Sequence, residues 1–219
     1  MAALPGEFRE RLARYREELA TFDPESRRYF CWHPSTPAEV VAAYRWVEQE
    51  AGLAPGEARI QATQFLDQPR WDRTAIDGSG NEVQGRPTTL TWSLVPDSTT
   101  TPDGDGGIRP SNLRSWLAGI YGGGSSGDPQ TKPWFPFFEQ AFQYLEQQTG
   151  IRFVYQPEDD GALISQFRSG ARPPSSSARG DIRIAALTID GDSGKLAFAY
   201  GPDQGDIVFD SSDDFFDNT

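Results

Sequence analysis

The last forty residues constrain this chain more than any other stretch. Three short segments rich in apolar residues, Asp181–Ala186, Lys195–Tyr200 and Asp206–Phe209, are separated by turns of Asp and Gly. Runs of this kind between such turns read as strands. From Asp181 to Thr219 there are nine Asp, no Glu, and only Arg183 and Lys195 as cations. A generic solvated surface mixes Asp with Glu. Asp alone, beside glycine turns and strand ends, suits hard cations, because the short side chain lets backbone carbonyls share the ion.

The other counts exclude whole classes of chemistry. The 219 residues carry a net charge of -12, and the final stretch contributes -7 of it. An acidic chain is a poor match for a phosphate backbone, so nucleic-acid binding is not expected. One cysteine, Cys31, excludes an internal disulfide, and one histidine, His33, excludes a zinc site of two or three histidines within one copy. A Ser-His-Asp triad would have to use His33, and no positioned nucleophile accompanies it. No segment approaches a membrane span, and the first residues lack the apolar core of a signal peptide.

The chain divides into three parts: 1–53, a helical extension; 54–87, a turn-rich connector; and 88–219, a sheet subdomain. In the first, Phe8, Leu12, Tyr15, Leu19 and Phe22 recur at helical spacing, and Asp23-Pro24-Glu25-Ser26 ends the helix. A second helix is expected with Thr36 as N-cap, Pro37 at its first position, Glu39 completing a capping box, and Val40, Tyr44 and Val47 on its apolar face. The connector holds a possible strand at Arg59–Leu66 and a turn at Asp77-Gly78-Ser79-Gly80-Asn81. In the third part, Thr88–Val95 is a strand, 97–110 a polar loop, and Ser111 caps a short helix with Leu113, Trp116, Leu117 and Ile120 inward. Gly122–Thr131 reads as a flexible linker. A long helix over Pro133–Thr149 should bury Trp134, Phe138, Ala141, Phe142 and Leu145. Ile151–Tyr155 is a further strand, followed by loop over Pro157–Ser177. The expected fold class is α+β: a twisted mixed sheet of about five strands with one long packed helix, preceded by the helical extension.

Several motifs have plainer readings than their names suggest. Gly122-Gly123-Gly124-Ser125-Ser126-Gly127 fits G-x-G-x-x-G but follows a helix rather than a strand, so it lacks the dinucleotide-binding context. Arg179-Gly180-Asp181 spells an adhesion tripeptide at the start of a strand, where Asp181 has other uses. Asp103-Gly104-Asp105-Gly106-Gly107 and Asp190-Gly191-Asp192-Ser193-Gly194 both begin like calcium loops. Position 12 is Arg114 in one and Gly201 in the other, so neither is an EF-hand. The first reads as a turn; the second is supported by Asp206, Asp210 and Asp213 a strand away. Cys31 and His33 lie two apart, but two further metal ligands are lacking and buried packing is the plainer expectation. Glu139 and Glu146 lie on the polar side of the long helix and make poor glycosidase acids.

The order Thr88–Val95, Pro133–Thr149, Ile151–Tyr155, Arg179–Ile184, Thr188–Gly194, Leu196–Tyr200 and Gly205–Asp213 resembles the matrixin branch of the metzincin zinc metallopeptidases, over about residues 68–219. The resemblance implies two bracing calcium ions. Asp190, with carbonyls near Gly191 and Gly194, would share one with Asp210 and Asp213. Asp181 and Asp206, helped by Gly205, would hold the other. The structural zinc of vertebrate members is expected to be absent, because Phe198 and Val208 stand where its histidines would. Catalysis in the family uses H-E-x-x-H-x-x-G-x-x-H. That motif is not present, and the sequence reaches Asn218-Thr219 where its helix should begin. The expectation is a fragment or a non-catalytic member, with no catalytic residue. Its partner in a complete enzyme would be a peptide or protein substrate. The resemblance also implies an extracellular setting. The alternative is a non-catalytic, calcium-braced binding or structural module. The surroundings of Cys31 do not match the family's latency motif.

Overall fold

The computed structural model describes residues 6–20, 28–51, 71, 73–79, 87–164, 179–192, 194–201 and 204–213. Within them are helices α1 (Gly6–Ala20), α2 (Ala38–Glu50), α3 (Leu113–Tyr121) and α4 (Phe135–Thr149). The strands are β1 (Arg28–Trp32), β2 (Arg73–Thr74), β3 (Gly78–Ser79), β4 (Thr89–Leu94), β5 (Thr100–Pro102), β6 (Ile108–Pro110), β7 (Arg152–Tyr155), β8 (Ile182–Leu187), β9 (Lys195–Tyr200) and β10 (Ile207–Asp210). The fold is α+β. Six strands form one mixed sheet in the order β1-β9-β10-β8-β4-β7. The β4–β7, β4–β8 and β8–β10 pairs are parallel, whereas β9 runs antiparallel to both β10 and β1.

Parallel neighbours need long crossovers, and α3 and α4 supply the one from β4 to β7. They cover one face of the sheet. Leu90, Trp92 and Leu94 alternate along β4 and pack there with Leu113, Leu117, Trp134, Phe135 and Phe142. Trp92 is the centre of this layer: its ring stacks on Phe142 at 4.6 Å and Phe135 at 5.6 Å, and meets Tyr155 at 4.6 Å. Burying a side chain of that size contributes several kcal/mol, and truncation to Ala costs about 3–5 kcal/mol. The opposite face buries Val95, Ala185, Leu187, Phe198, Tyr200 and Val208 under the loop residue Ile164.

The five expected strands of the sheet subdomain are β4, β7, β8, β9 and β10. The sixth was not expected. Arg28–Trp32 lies between the two N-terminal helices, yet it extends the sheet by pairing along β9. Its side chains alternate between inward Arg28, Phe30 and Trp32 and exposed Tyr29 and Cys31. Cys31 is therefore exposed rather than buried, because strand alternation turns it outward.

Other local expectations also shift. Thr36 does not cap α2; its hydroxyl donates to the Gly194 carbonyl at 2.9 Å, and Pro37 holds the cap position without a side-chain bond. The 97–110 loop contains the β5–β6 hairpin. Ser111 Oγ accepts from Leu113 N at 3.3 Å, but Asp97 does more for α3, accepting from Arg114 N and Ser115 N. Along α4, Trp134 and Phe142 are buried and Phe138 packs on the core as expected, whereas Ala141 and Leu145 are exposed and Phe135 is buried, so the inward stripe is narrower than expected and starts at the first turn. Gly122–Thr131 is ordered. Lys132 Nζ donates to the carbonyls of Gly123 and Ser126, and Asp128 accepts from Gln130 N ahead of a single 3-10 turn. The proposed strand at 59–66 lies outside the described residues.

Candidate functional site

The aspartates singled out from sequence lie at strand ends and turns, and most of their oxygens face N–H donors. Asp210, at the end of β10, is fully buried. Its Oδ1 accepts from Ile189 N, Ser212 N and Ser212 Oγ, and its Oδ2 from Asp190 N and Gly191 N. A carboxylate has about four lone-pair sites, so Asp210 is saturated by the turns that follow β8 and β10. Asp181 is similarly used. Its Oδ1 accepts from Ala75 N, and its Oδ2 from Thr91 N and Thr91 Oγ1, which ties the β2–β3 hairpin to β4 and β8. Asp206 Oδ1 accepts from Arg183 N at 2.9 Å.

The glycines are equally committed. Gly191 has φ +82° and gives its N–H to Asp210. The Gly194 carbonyl accepts from His33 N at 2.8 Å as well as from Thr36, and a Cβ at Gly194 would collide with the Asp190 carboxylate. Gly205 donates to Gly201 O and packs against the Trp71 ring. Asp190 differs from the others. Its Oδ1 accepts from Lys195 N at 2.9 Å, while its Oδ2 is buried without a hydrogen bond, 3.6 Å from Arg11 Nη1. Burial raises its pKa to about 7, against the opposing charge of Lys195. Asp213 Oδ1 lies 3.9 Å from His33 Nε2.

Tested as calcium sites, the two sets differ. Asp181 and Asp206 are engaged with different backbone segments and do not fit. In the other set the buried Oδ2 atoms of Asp190 and Asp213 accept no hydrogen bond, while Asp213 also faces His33 through Oδ1. Among the described residues, no group of three or more His, Cys, Asp or Glu side chains is arranged to hold a metal ion. Phe198 and Val208 lie opposite each other across β9 and β10, both buried in apolar packing. The Arg179-Gly180-Asp181 tripeptide is built into the sheet: Arg179 pairs with Asp160, Gly180 N donates to Ser93 Oγ, and Asp181 is 1% exposed. A Cβ on Gly180 would come within 2.6 Å of Ser93 N, so β4 and this segment approach as closely as glycine permits.

Sequence reasoning passed over the most unusual group. Lys195, at the start of β9, is completely buried. Its ammonium forms an ion pair with Asp105, at the tip of the β5–β6 turn. Around it stand four aromatic rings, with centroids at 4.3 Å (Tyr44), 4.6 Å (Phe30), 5.9 Å (Tyr15) and 5.9 Å (Trp32). These come from α1, β1 and α2. Tyr44 also donates its hydroxyl to Asp105 at 3.2 Å. Burial lowers the lysine pKa, and Asp105 and Asp190 oppose that shift. Aromatic faces replace water around the cation, at about 2 kcal/mol or more for a desolvated contact. Arg28 adds a second tie, pairing with Glu18 and donating to Gly104 O at 2.9 Å.

The chain matches no protein-family model, no curated protein and no solved structure. Among the described residues, no helix is long and apolar enough to cross a membrane.

Proposed function

We propose that about residues 68–219 belong to the matrixin-type zinc endopeptidase lineage, and that within this sequence they hold an extended peptide along a sheet edge without cleaving it. One observation carries the reading. The segments in which the resemblance lies form a contiguous block, β9-β10-β8-β4-β7, with α4 against it, and the outer edge of β9 holds an extended chain in antiparallel register. Main-chain pairing of this kind is a general mode of peptide capture. Hydrolysis is not part of the proposal, because a single histidine cannot supply the three that bind catalytic zinc. An extracellular setting follows only from the lineage. The test is a peptidase assay on the purified chain with zinc supplied. No turnover is expected; chelator-sensitive turnover would overturn the non-catalytic part.

A second reading, a calcium-braced binding module, draws on the buried Asp190 oxygen that lacks a hydrogen bond. A ligand that binds only the folded state raises its melting temperature by mass action. Millimolar calcium should then raise the Tm of the wild type and not that of Asp190→Ala. Equal, flat curves would remove this reading.

A further inference from the structure

The outer edge of β9 is covered by β1. Every other strand of the sheet comes from residues 89–210, whereas β1 arrives from the N-terminal segment, at positions 28–32. An edge strand presents a row of N–H and C=O groups open to pairing. Backbone pairing holds any extended chain; selectivity must come from side chains on alternate positions.

Here those side chains are legible. Phe30 and Trp32, two apart on the inward side of β1, both bring their rings to Lys195. Phe30 also meets Phe198 at 6.1 Å, and Arg28 lies over the Tyr200 ring at 5.6 Å. Tyr29 and Cys31 point away and are exposed. β1 thus reads as cation-x-aromatic-x-aromatic, with the intervening positions unconstrained by β9. The helices that complete the cage have an apolar cluster of their own: Tyr15, Leu19, Val40, Tyr44 and Val47. Of the residues packed on it, Phe30 also packs on a cluster of the sheet.

We propose that the β9 edge with Lys195 is a binding site for extended peptides bearing aromatic side chains at alternate positions, and that β1 is a copy of that ligand built into the chain. The proposal rests on the peptide-accepting reading of the edge. Lysine is suited to such a site. An aliphatic residue uncovered by departure of β1 would expose apolar surface, whereas an ammonium regains water. The covered state compensates with aromatic faces and Asp105.

The test uses the full chain and a fluorescein-labelled peptide of residues 26–36, with Ser for Cys31. A control peptide carries Ala for Phe30 and Trp32. Phe30→Gly removes the ring that meets Lys195 and Phe198 and weakens the strand, and should loosen β1. Fluorescence anisotropy should show Phe30→Gly binding the peptide at least tenfold tighter than wild type does, and the control at least tenfold more weakly. Hydrogen exchange should show β9 amides deprotected in the variant while β4 and β8 stay protected. In the wild type, amides of the β1–β9 pair should already exchange at least tenfold faster than those of β4 and β8, a measurement that needs no variant. Deprotection of β4, β8 and β9 together, or equal wild-type rates, would make the N-terminal segment part of one folding unit and overturn the inference, leaving the edge reading intact. Equal binding of both peptides would overturn the aromatic selectivity alone. Deprotection of β9 with no binding of either peptide would overturn the edge reading beneath it.

Discussion

Arg183 and Lys195 are both buried in this sheet, and they are held in opposite ways. Arg183 sits on β8 near the middle. Its Nε and Nη2 fork onto Asp159 at 2.8 and 2.6 Å, and Ser93 Oγ donates to the same carboxylate at 2.7 Å. Burial works against the charged Asp159, but the hydrogen bonds and charge of Arg183 prevail and hold its pKa below the usual range. All of these groups lie between residues 93 and 183, so the pair fastens the 156–164 loop to the sheet that generates it. Lys195 makes one ion pair and surrounds its remaining donors with rings from another part of the chain. Arginine meets a carboxylate with a planar fork, whereas the lysine ammonium is a compact point charge; here the first ties a loop to its own sheet and the second joins segments from two parts of the chain.

Breaking the arginine pair should have the largest effect. Asp159→Asn leaves Arg183 buried without its counter-charge and should cost about 3–5 kcal/mol at pH 7, measured by urea unfolding. The pH dependence sharpens this. Because the Asp159 carboxyl is held below its unfolded value of about 3.9, its contribution is full above that pH and is lost as pH falls through the folded value. The gap between wild type and Asp159→Asn should therefore narrow below about pH 4.

Lys195→Met should cost less, about 2–3 kcal/mol, because the rings accept a thioether and only Asp105 is left uncompensated. Adding Asp105→Leu should recover part of the loss. If the double variant is no better than Lys195→Met, the ion pair is not what distinguishes the site. Tyr44→Phe removes the hydroxyl bond to Asp105 but keeps the ring, and should cost about 1 kcal/mol. Smallest is Arg16→Ala. Its exposed pair with Glu50 and its contact over Trp46 should be worth no more than about 1 kcal/mol on thermal melting.

Much of the sheet is legible in the sequence, because β4 and β7 to β10 are apolar runs bounded by Gly, Pro and Asp. β1 was missed because Arg28-Tyr29-Phe30-Cys31-Trp32 lies between two helical patterns and invited attention as a Cys/His pair. The signal available was its aromatic, alternating composition. The inward face of α4 is legible at Trp134, Phe138 and Phe142; Phe135 was not, because it begins the helix at its proline-rich start, where the apolar spacing is ambiguous. The aspartates lie at the strand ends and turns where the sequence puts them. Their partners were not legible, since a short carboxylate beside a glycine turn serves backbone N–H groups as readily as a cation. The Lys195 cage could not be read because its rings come from positions 15, 30, 32 and 44, and a lone lysine opening a strand looks solvent-facing.

The pairing of Cys31 with Ala197 has a consequence for synthesis. Among the described residues, the strand nearest the N-terminus is joined to the last but one. At about 5–20 residues per second, the N-terminal segment leaves the ribosome on the order of ten seconds before β9 exists. Throughout that interval Phe30, Trp32 and Tyr44 lack the lysine that they surround in the folded chain. Transiently uncovered apolar surface favours aggregation, so yield in cell-free translation should rise when a chaperone that binds apolar segments is added.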